Sequence, residues 1–521
     1  MPWQVAFLAA VCGLLALRWP LPALACLAVL VLLARRLGAA GPRVWALGAA
    51  FLLGLGWGWL RLPAEPAPLP AWAAGGAPVR LHGVVADFTD RPGGRAQVLL
   101  ADLRIEPRGK GGAGESGETA PDSGPDSGPG SNHDAAPDSS PNPPSNSGPA
   151  RPSLRLPGRA LWSWYDPTAR PAPGSAVTLD ARVYRITGYG NPGAWDYAFS
   201  WRTRGALWRT YSPGPRGLTL AEVPGPLSWR LREGLEARVA ALLPLDQGGA
   251  MVRALLFGDR SGLDPEVSES LTAAGLAHTL ALSGLHLGFV VLLGVGLARL
   301  AGRVRPGLYL RVARPRLAVL LAAPLVAGYC WLGGFSPSLV RAACMFAAWG
   351  WLLWRGRDRV LLDGLFFALA VILLVSPLSV FDLRLQLSAL AVAGIVVLLP
   401  LARPLGRILD ALPEGLEGWR AAAVRWGLVP VRDLGAVLAM SLAAQLAVLP
   451  VTAWTFGRLA PNFLLNAVWL PVLGLAVLPL GLAGLVLAPC WPDAAAPLLG
   501  AAAGIQDRLL DLLAWGRAAG L

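Results

Sequence analysis

The residues best suited to chemistry lie in one run, Ala254–Val290, which reads ALLFGDRSGLDPEVSESLTAAGLAHTLALSGLHLGFV. His278, Ser283 and His286 stand where this run turns strongly apolar. On a single helix at about 100° per residue they fall at roughly 0°, 140° and 80°, a broad wedge rather than a stripe. Polar side chains at membrane depth face protein or water. The wedge therefore either lines a wet path or bonds neighbouring backbone, and Gly284 is placed to break the helix. Arg341 stands about one turn inside another apolar segment, from which it can snorkel back to water. Gln386 and Ser388 open the segment 385–401, and Ser441 and Gln445, spaced i,i+4, share one face of the segment 434–454. Such neutral groups are interhelical glue in one reading and the lining of a wide pore in the other.

A second constellation precedes these segments. Arg159, Trp162, Trp164 and Tyr165 begin a stretch to Trp208 in which aromatic residues alternate with arginine. Aromatic faces beside guanidinium groups suit stacked bases and phosphates. The competing reading is an aromatic belt at a membrane surface, above all for an amphipathic helix near Ala194–Thr210. Neither HExxH, HxHxDH, GxSxG nor GxxxxGK[ST] occurs, so the sequence points to no hydrolase, ATPase, metal or cofactor. The cysteines, Cys12, Cys26, Cys330, Cys344 and Cys490, form no close-spaced pair. Cys330 and Cys344 flank one loop, and sequence does not settle whether they form a disulfide.

The elements that must position these residues are mostly membrane helices. Of 521 residues, 54% are hydrophobic and 15% charged, against about 25% charged in soluble proteins. The chain reads as a polytopic α-helical membrane protein of about ten to twelve spans. Apolar segments fall at 4–17, 20–34 and 44–60, then at 277–298, 317–333, 338–354, 360–376, 385–401 and 434–454. A run at 463–490, long enough for one tilted helix or a hairpin, and a more amphipathic segment at 494–515 complete the set. No Lys or Arg precedes Arg18, so the first segment reads as a membrane helix rather than a signal peptide.

The net charge is +13, and Lys110 is the sole lysine. Arginines crowd alternate loops (Arg35 to Arg43, Arg299 to Arg316, Arg355 to Arg359, Arg403 to Arg432), while the loops near 333–337 and 376–382 carry none. This phase puts the N-terminus in the cytoplasm and residues 63–275 outside a bacterial inner (plasma) membrane. Residues 63–225 are soluble in character. Strand patterns at Val79–Val85, Ala96–Ile105, Ser153–Trp162 and Ala176–Arg185 suggest a small extracytoplasmic β-rich, OB-like domain. The Gly-, Pro-, Ser- and Asp-rich insert at 107–152 cannot bury a core and reads as disordered. Amphipathic helices are expected at Arg230–Leu243 and Pro265–Ala274, giving domains 1–62, 63–225 and 226–521.

Residues 258–290, with GNPGAWDY at 190–197, SLVRAACM at 338–345, LQLSALAV at 385–392 and SLAAQLAVLP at 441–450, resemble the ComEC family of competence DNA-uptake channels in order and spacing. The resemblance implies a membrane channel for single-stranded DNA, contacting membrane lipid, with a cytoplasmic helicase-like ATPase to drive it and a homo-oligomer as one assembly. Relatives add a metallo-β-lactamase-like domain at the C-terminus, implying here that a separate nuclease degrades the second strand. A small-solute secondary transporter would instead call for inverted repeats and mid-membrane acids, and a membrane scaffold for neither.

Overall fold

The computed structural model describes residues 3–518 apart from 38–40, 92–93, 109–152, 189–195, 213, 215–216, 222, 281, 357–360, 399, 401–417 and 458–464. Most of the insert read as disordered lies outside the described residues. Among the described residues eight strands form one sheet, running in the order Tyr184–Arg185, Ala206–Ser212, Arg159–Tyr165, Arg95–Pro107, Pro78–Arg91, Ala176–Arg182, Leu218–Ala221, with Leu154–Arg155 added on Arg95–Pro107. The long hairpin of β1 (Pro78–Arg91) and β2 (Arg95–Pro107) is its spine. Alternate residues Val79, Leu81 and Val85 of β1 and Val98, Leu100 and Ile105 of β2 are buried, as period-two side chains on a one-sided core must be. β3 (Leu154–Arg155) and β4 (Arg159–Tyr165) replace the single strand expected at Ser153–Trp162. β5 (Ala176–Arg182) and β6 (Tyr184–Arg185) likewise divide the next one. The helix expected near Ala194–Thr210 is only Tyr197–Arg202, capped by the Asp196 carboxylate on the Phe199 N–H at 2.9 Å. The chain then enters β7 (Ala206–Ser212), parallel to β4, and later β8 (Leu218–Ala221) beside β5. Trp208 thus belongs to the sheet core, because strand pairing claimed its segment.

Among the described residues five helices are long and apolar enough to cross a membrane: Gly41–Arg61, Gly284–Val304, Arg314–Leu332, Gly435–Thr455 and Val468–Leu487. Trp3–Ala16, Leu362–Val375 and Leu383–Leu398 are apolar but shorter. They fall below the roughly 20 residues that span a hydrocarbon core upright, so among the described residues length and composition support five spans. The segment at 277–298 is not one helix. A short turn at Ala277–Leu280 ends, and a new helix starts at Gly284. The run at 463–490 is one helix, Asn466–Val472 continuing through a π-helical stretch at Leu473–Val477 into Leu478–Leu487. Pro471 sits at that irregularity, and proline removes one rung of the helical ladder.

Small residues bring helix backbones together, as in other membrane bundles. A Cβ on Gly13 would lie 1.9 Å from the Phe51 carbonyl oxygen, and one on Gly54 2.0 Å from that of Ala10. Gly13→Leu is expected to cost about 1–3 kcal/mol or more through overpacking. Gly48→Leu, whose Cβ meets nothing within 4 Å, serves as the control. Detergent-extractable abundance and thermal midpoint check this, and equal behaviour of the two variants would refute the close approach.

Candidate functional site

A cavity of about 3130 Å³ opens between the sheet and the helices. At the sheet end its wall carries Asp87, Asp90, Arg91, Arg159 and Arg204. In its middle lie the loop Gly258–Arg260, His278, Ser283, the loop Gly333–Pro337, Asp382 and Arg384. Its far end runs between helices. Leu387, Ser388, Ala391, Val392 and Ile395 face it from Leu383–Leu398, and Val437, Met440, Ser441, Ala444, Gln445, Val448 and Thr452 from Gly418–Phe456. Val437 to Thr452 are 15 residues apart in the sequence, about 22 Å along a helix axis. A hydrocarbon core is about 30 Å thick, so the cavity reaches along most of a span.

The polar residues singled out from sequence divide between this wall and the surrounding packing. Ser388, Ser441 and Gln445 line the cavity, the last two on one helical face. His278 is exposed to it, with Nδ1 3.0 Å from the Gly275 carbonyl oxygen. Ser283 lines it as the N-cap of Gly284–Val304. Arg341 lines it too, though its side chain is almost wholly buried. Its Nη1 lies 3.7 Å from Asp382 Oδ2 and its Nη2 donates to Ser338 Oγ at 3.2 Å. An ion partner held in place by the Ser376–Asp382 turn, rather than snorkelling to water, takes this guanidinium's charge, while its buried Nε makes no hydrogen bond.

His286 and Gln386 lie behind the wall. His286 is fully buried, and its Nδ1 accepts the Ser283 N–H at 3.1 Å, which leaves the proton of the neutral ring on Nε2. One orphan donor of the helix start is thereby satisfied. Gln386 Nε2 donates to the Val380 carbonyl at 2.8 Å and holds the Pro377–Phe381 turn. The end of the first helical turn at Leu280 and the new start at Gly284 turned His286 away from the wedge that an unbroken helix predicts. His286→Ala is expected to strand the Ser283 N–H at a cost of about 1–3 kcal/mol. Abundance and thermal midpoint should therefore fall together; unchanged values would contradict the helix-start role.

Of the outer group, Trp162 and Trp164 are core residues rather than a platform for stacked bases. Both are fully buried, stacked at 4.7 Å with 13° between their planes, and Trp162 Nε1 donates to Ser212 Oγ at 2.8 Å. Rings inside a core offer no face to a ligand. Arg159 and Tyr165, at the two ends of β4, are exposed, Arg159 on the main cavity and Tyr165 on a smaller one of about 390 Å³ that shares Arg91. Cys330 and Cys344 carry free thiols.

Sequence reasoning missed a charged knot joining sheet to helices. Arg170 reaches Asp90 at 3.1 Å and both Glu233 and Glu236 at 3.3 Å. Arg253 lies 3.5 Å from Glu236 and also pairs with Asp259. Arg232 donates to the carbonyls of Leu332 at 2.6 Å and Phe257 at 2.8 Å. Burial pushes the Glu236 carboxyl above its ordinary range despite Arg170, and nearby Asp259 adds to the shift. Burial would raise Asp259 too, but the Ser261 N–H and Arg253 outweigh it and hold it low. The only sequence trace of the knot is the i,i+4 spacing of Arg232 and Glu236.

Comparison with known proteins places this architecture. The chain is 30% identical over 269 residues to the uncharacterized protein YcaI of Escherichia coli, covering 51% of this chain and 32% of that protein. It is 33% identical over 277 residues to competence protein ComA of Neisseria gonorrhoeae, covering 52% and 34%. With ComE operon protein 3 of Bacillus subtilis it shares 27% over 267 residues, covering 49% and 29%. The match spans about a third of the length of these curated relatives. No solved structure matches the chain. The Competence protein family matches residues 255–519, just over half of the chain and the part that builds the helical walls of the cavity, and the chain belongs to that family.

Proposed function

We propose that the chain is an inner-membrane channel that imports single-stranded DNA during natural transformation, and that the large cavity is part of its route. The observation that carries this reading is the lined path from arginines at the sheet to Ser388, Ser441 and Gln445 about a span's depth between helices. Each nucleotide brings a phosphate charge, and a charge at the bilayer centre costs at least about 2.5 kcal/mol even on lenient scales. Only a continuous wet path avoids that cost. Neutral amides and hydroxyls let a polyanion pass without trapping it. Competence proteins among the similar chains support the biological setting.

In this reading residues 1–62 are N-terminal transmembrane segments, 63–225 an extracytoplasmic OB-like domain and 226–521 the channel domain, with the N-terminus cytoplasmic. The arginine-free loops near 333–337 and 376–382 meet the sheet around the cavity, and Arg316 Nη2 donates to the Trp354 carbonyl at 3.3 Å where the arginine-rich loops meet. Both pairings agree with one outer and one inner face. His278 and Ser283 would flank the passage midway. A cytoplasmic helicase-like ATPase would pull the strand, a separate nuclease would remove its complement, and a homo-oligomer would be one way to complete the wall.

The test is transport itself. In a strain lacking this gene and any second copy, uptake of labelled DNA into the cytoplasm should fall to background and return with the gene. Normal transformation of the deletion strain would refute the proposal.

A further inference from the structure

Four arginines from four separate segments converge on the cavity between sheet and helices. Arg91 ends β1, Arg204 follows the helix Tyr197–Arg202, Arg260 sits in the loop after Gly258, and Arg384 opens Leu383–Leu398. Three are exposed and Arg260 is half-buried. Among the described residues none of the four pairs with a carboxylate. Arg91 donates only to Gln97 Oε1 at 2.6 Å, and Arg204 lies over the Trp201 ring at 5.1 Å. In the same cavity wall Arg170 and Arg341 hold acids, Arg232 holds carbonyls and Arg517 donates to Ser270 Oγ, while Arg159 stands exposed at the sheet end.

We propose that Arg91, Arg204, Arg260 and Arg384 form an anion throat that grips consecutive phosphodiesters of one nucleic acid strand where it passes from sheet to helices. The proposal rests on the channel reading and names the residues that would hold the cargo's backbone. Like charges with no ion-pair partner do not gather without cost in a fold, since each repels the others, although Asp382 acts on Arg204 against that repulsion. The repulsion is felt. Burial and then Arg384 and Arg204 lower the Arg91 guanidinium, and burial and then Arg91 and Arg384 lower that of Arg260. A ligand carrying a negative charge every few ångströms relieves this. The guanidinium fork matches phosphate oxygens in pairs. Exposed Tyr165 lies on the adjoining small cavity that also touches Arg91 and Arg95, where a base next to a gripped phosphate has a face to stack on.

The experiment is binding of a fluorescent thymidine oligonucleotide to the purified full-length chain in neutral-lipid nanodiscs, titrated over a range of salt. For single strands the salt slope changes by about 0.7 per phosphate contact. Arg260→Gln/Arg384→Gln should bind more weakly and lose about 1.4 from that slope, and the quadruple glutamine variant about 2.8. Both should keep wild-type abundance, because no ion pair is removed. A methylphosphonate oligonucleotide, uncharged along its backbone, should bind wild type and quadruple variant alike. Wild-type binding with an unchanged slope in the variants overturns the throat while leaving the channel reading intact. Absence of any oligonucleotide binding by the wild-type chain overturns both. Loss of the wild-type advantage in phosphatidylglycerol nanodiscs would assign the four arginines to lipid headgroups and also overturn it.

Discussion

Arg170→Ala is expected to cost roughly 3–5 kcal/mol of stability, because it removes a cation shared by three acids of a buried network. Glu236 is 3% exposed and loses the nearest of its three partners, keeping Arg253 and Arg232, while Asp90 and Glu233 lose theirs. The thermal midpoint of the purified protein and its membrane abundance would report the loss. Adding Glu236→Gln to Arg170→Ala should recover part of it, since the stranded charge is then gone. The pH dependence has a definite sign. The Glu236 carboxyl is already raised by burial above 4.5, and removing Arg170 raises it further. A raised carboxyl contributes stability that is fully present below its unfolded value and lost as pH rises through the folded one. The deficit of Arg170→Ala should therefore be smaller near pH 5 than near pH 8. A wild-type midpoint at pH 8 would show that the knot does not join sheet to helices as its geometry implies.

Ala444→Trp is expected to abolish DNA entry. Ala444 faces the cavity between Ser441 and Val448, about midway along the lined stretch of its helix. An indole there fills the path with more than 100 Å² of apolar side chain, on the order of what a buried Trp covers. Leu446, two residues on, is 52% exposed and does not line the cavity, so Leu446→Trp is the matched control. Transformation frequency and protein abundance are measured for both. Loss of transformation in Ala444→Trp alone, at equal abundance, is the expected pattern. Full transformation with tryptophan at 444 would mean that the strand does not travel there.

Much of this organisation was legible in the sequence. Hydrophobic runs placed nearly every helix, because a membrane segment must be apolar over its whole length whatever it packs against. Alternation placed β1, β2 and β5, whose buried Val and Leu repeat every second residue. The i,i+4 pair Ser441 and Gln445 fell on one wall because helical periodicity alone fixes which residues share a face. What failed had a tertiary cause. Trp162 and Trp164 looked like a stacking platform, yet i,i+2 neighbours on a strand share a face, and that face became the core. His286 looked like lining until the helix broke before Gly284 and turned it inward. The order of strands in the sheet, the knot around Arg170 and the gathering of Arg91, Arg204, Arg260 and Arg384 leave no local pattern, since their members are scattered over some 290 positions. Thus sequence alone determined that the chain makes apolar helices and a one-sided sheet, because burial periodicity is a local property. Only the tertiary structure decided which polar and charged groups meet around the cavity, because contacts between distant segments depend on how those elements pack.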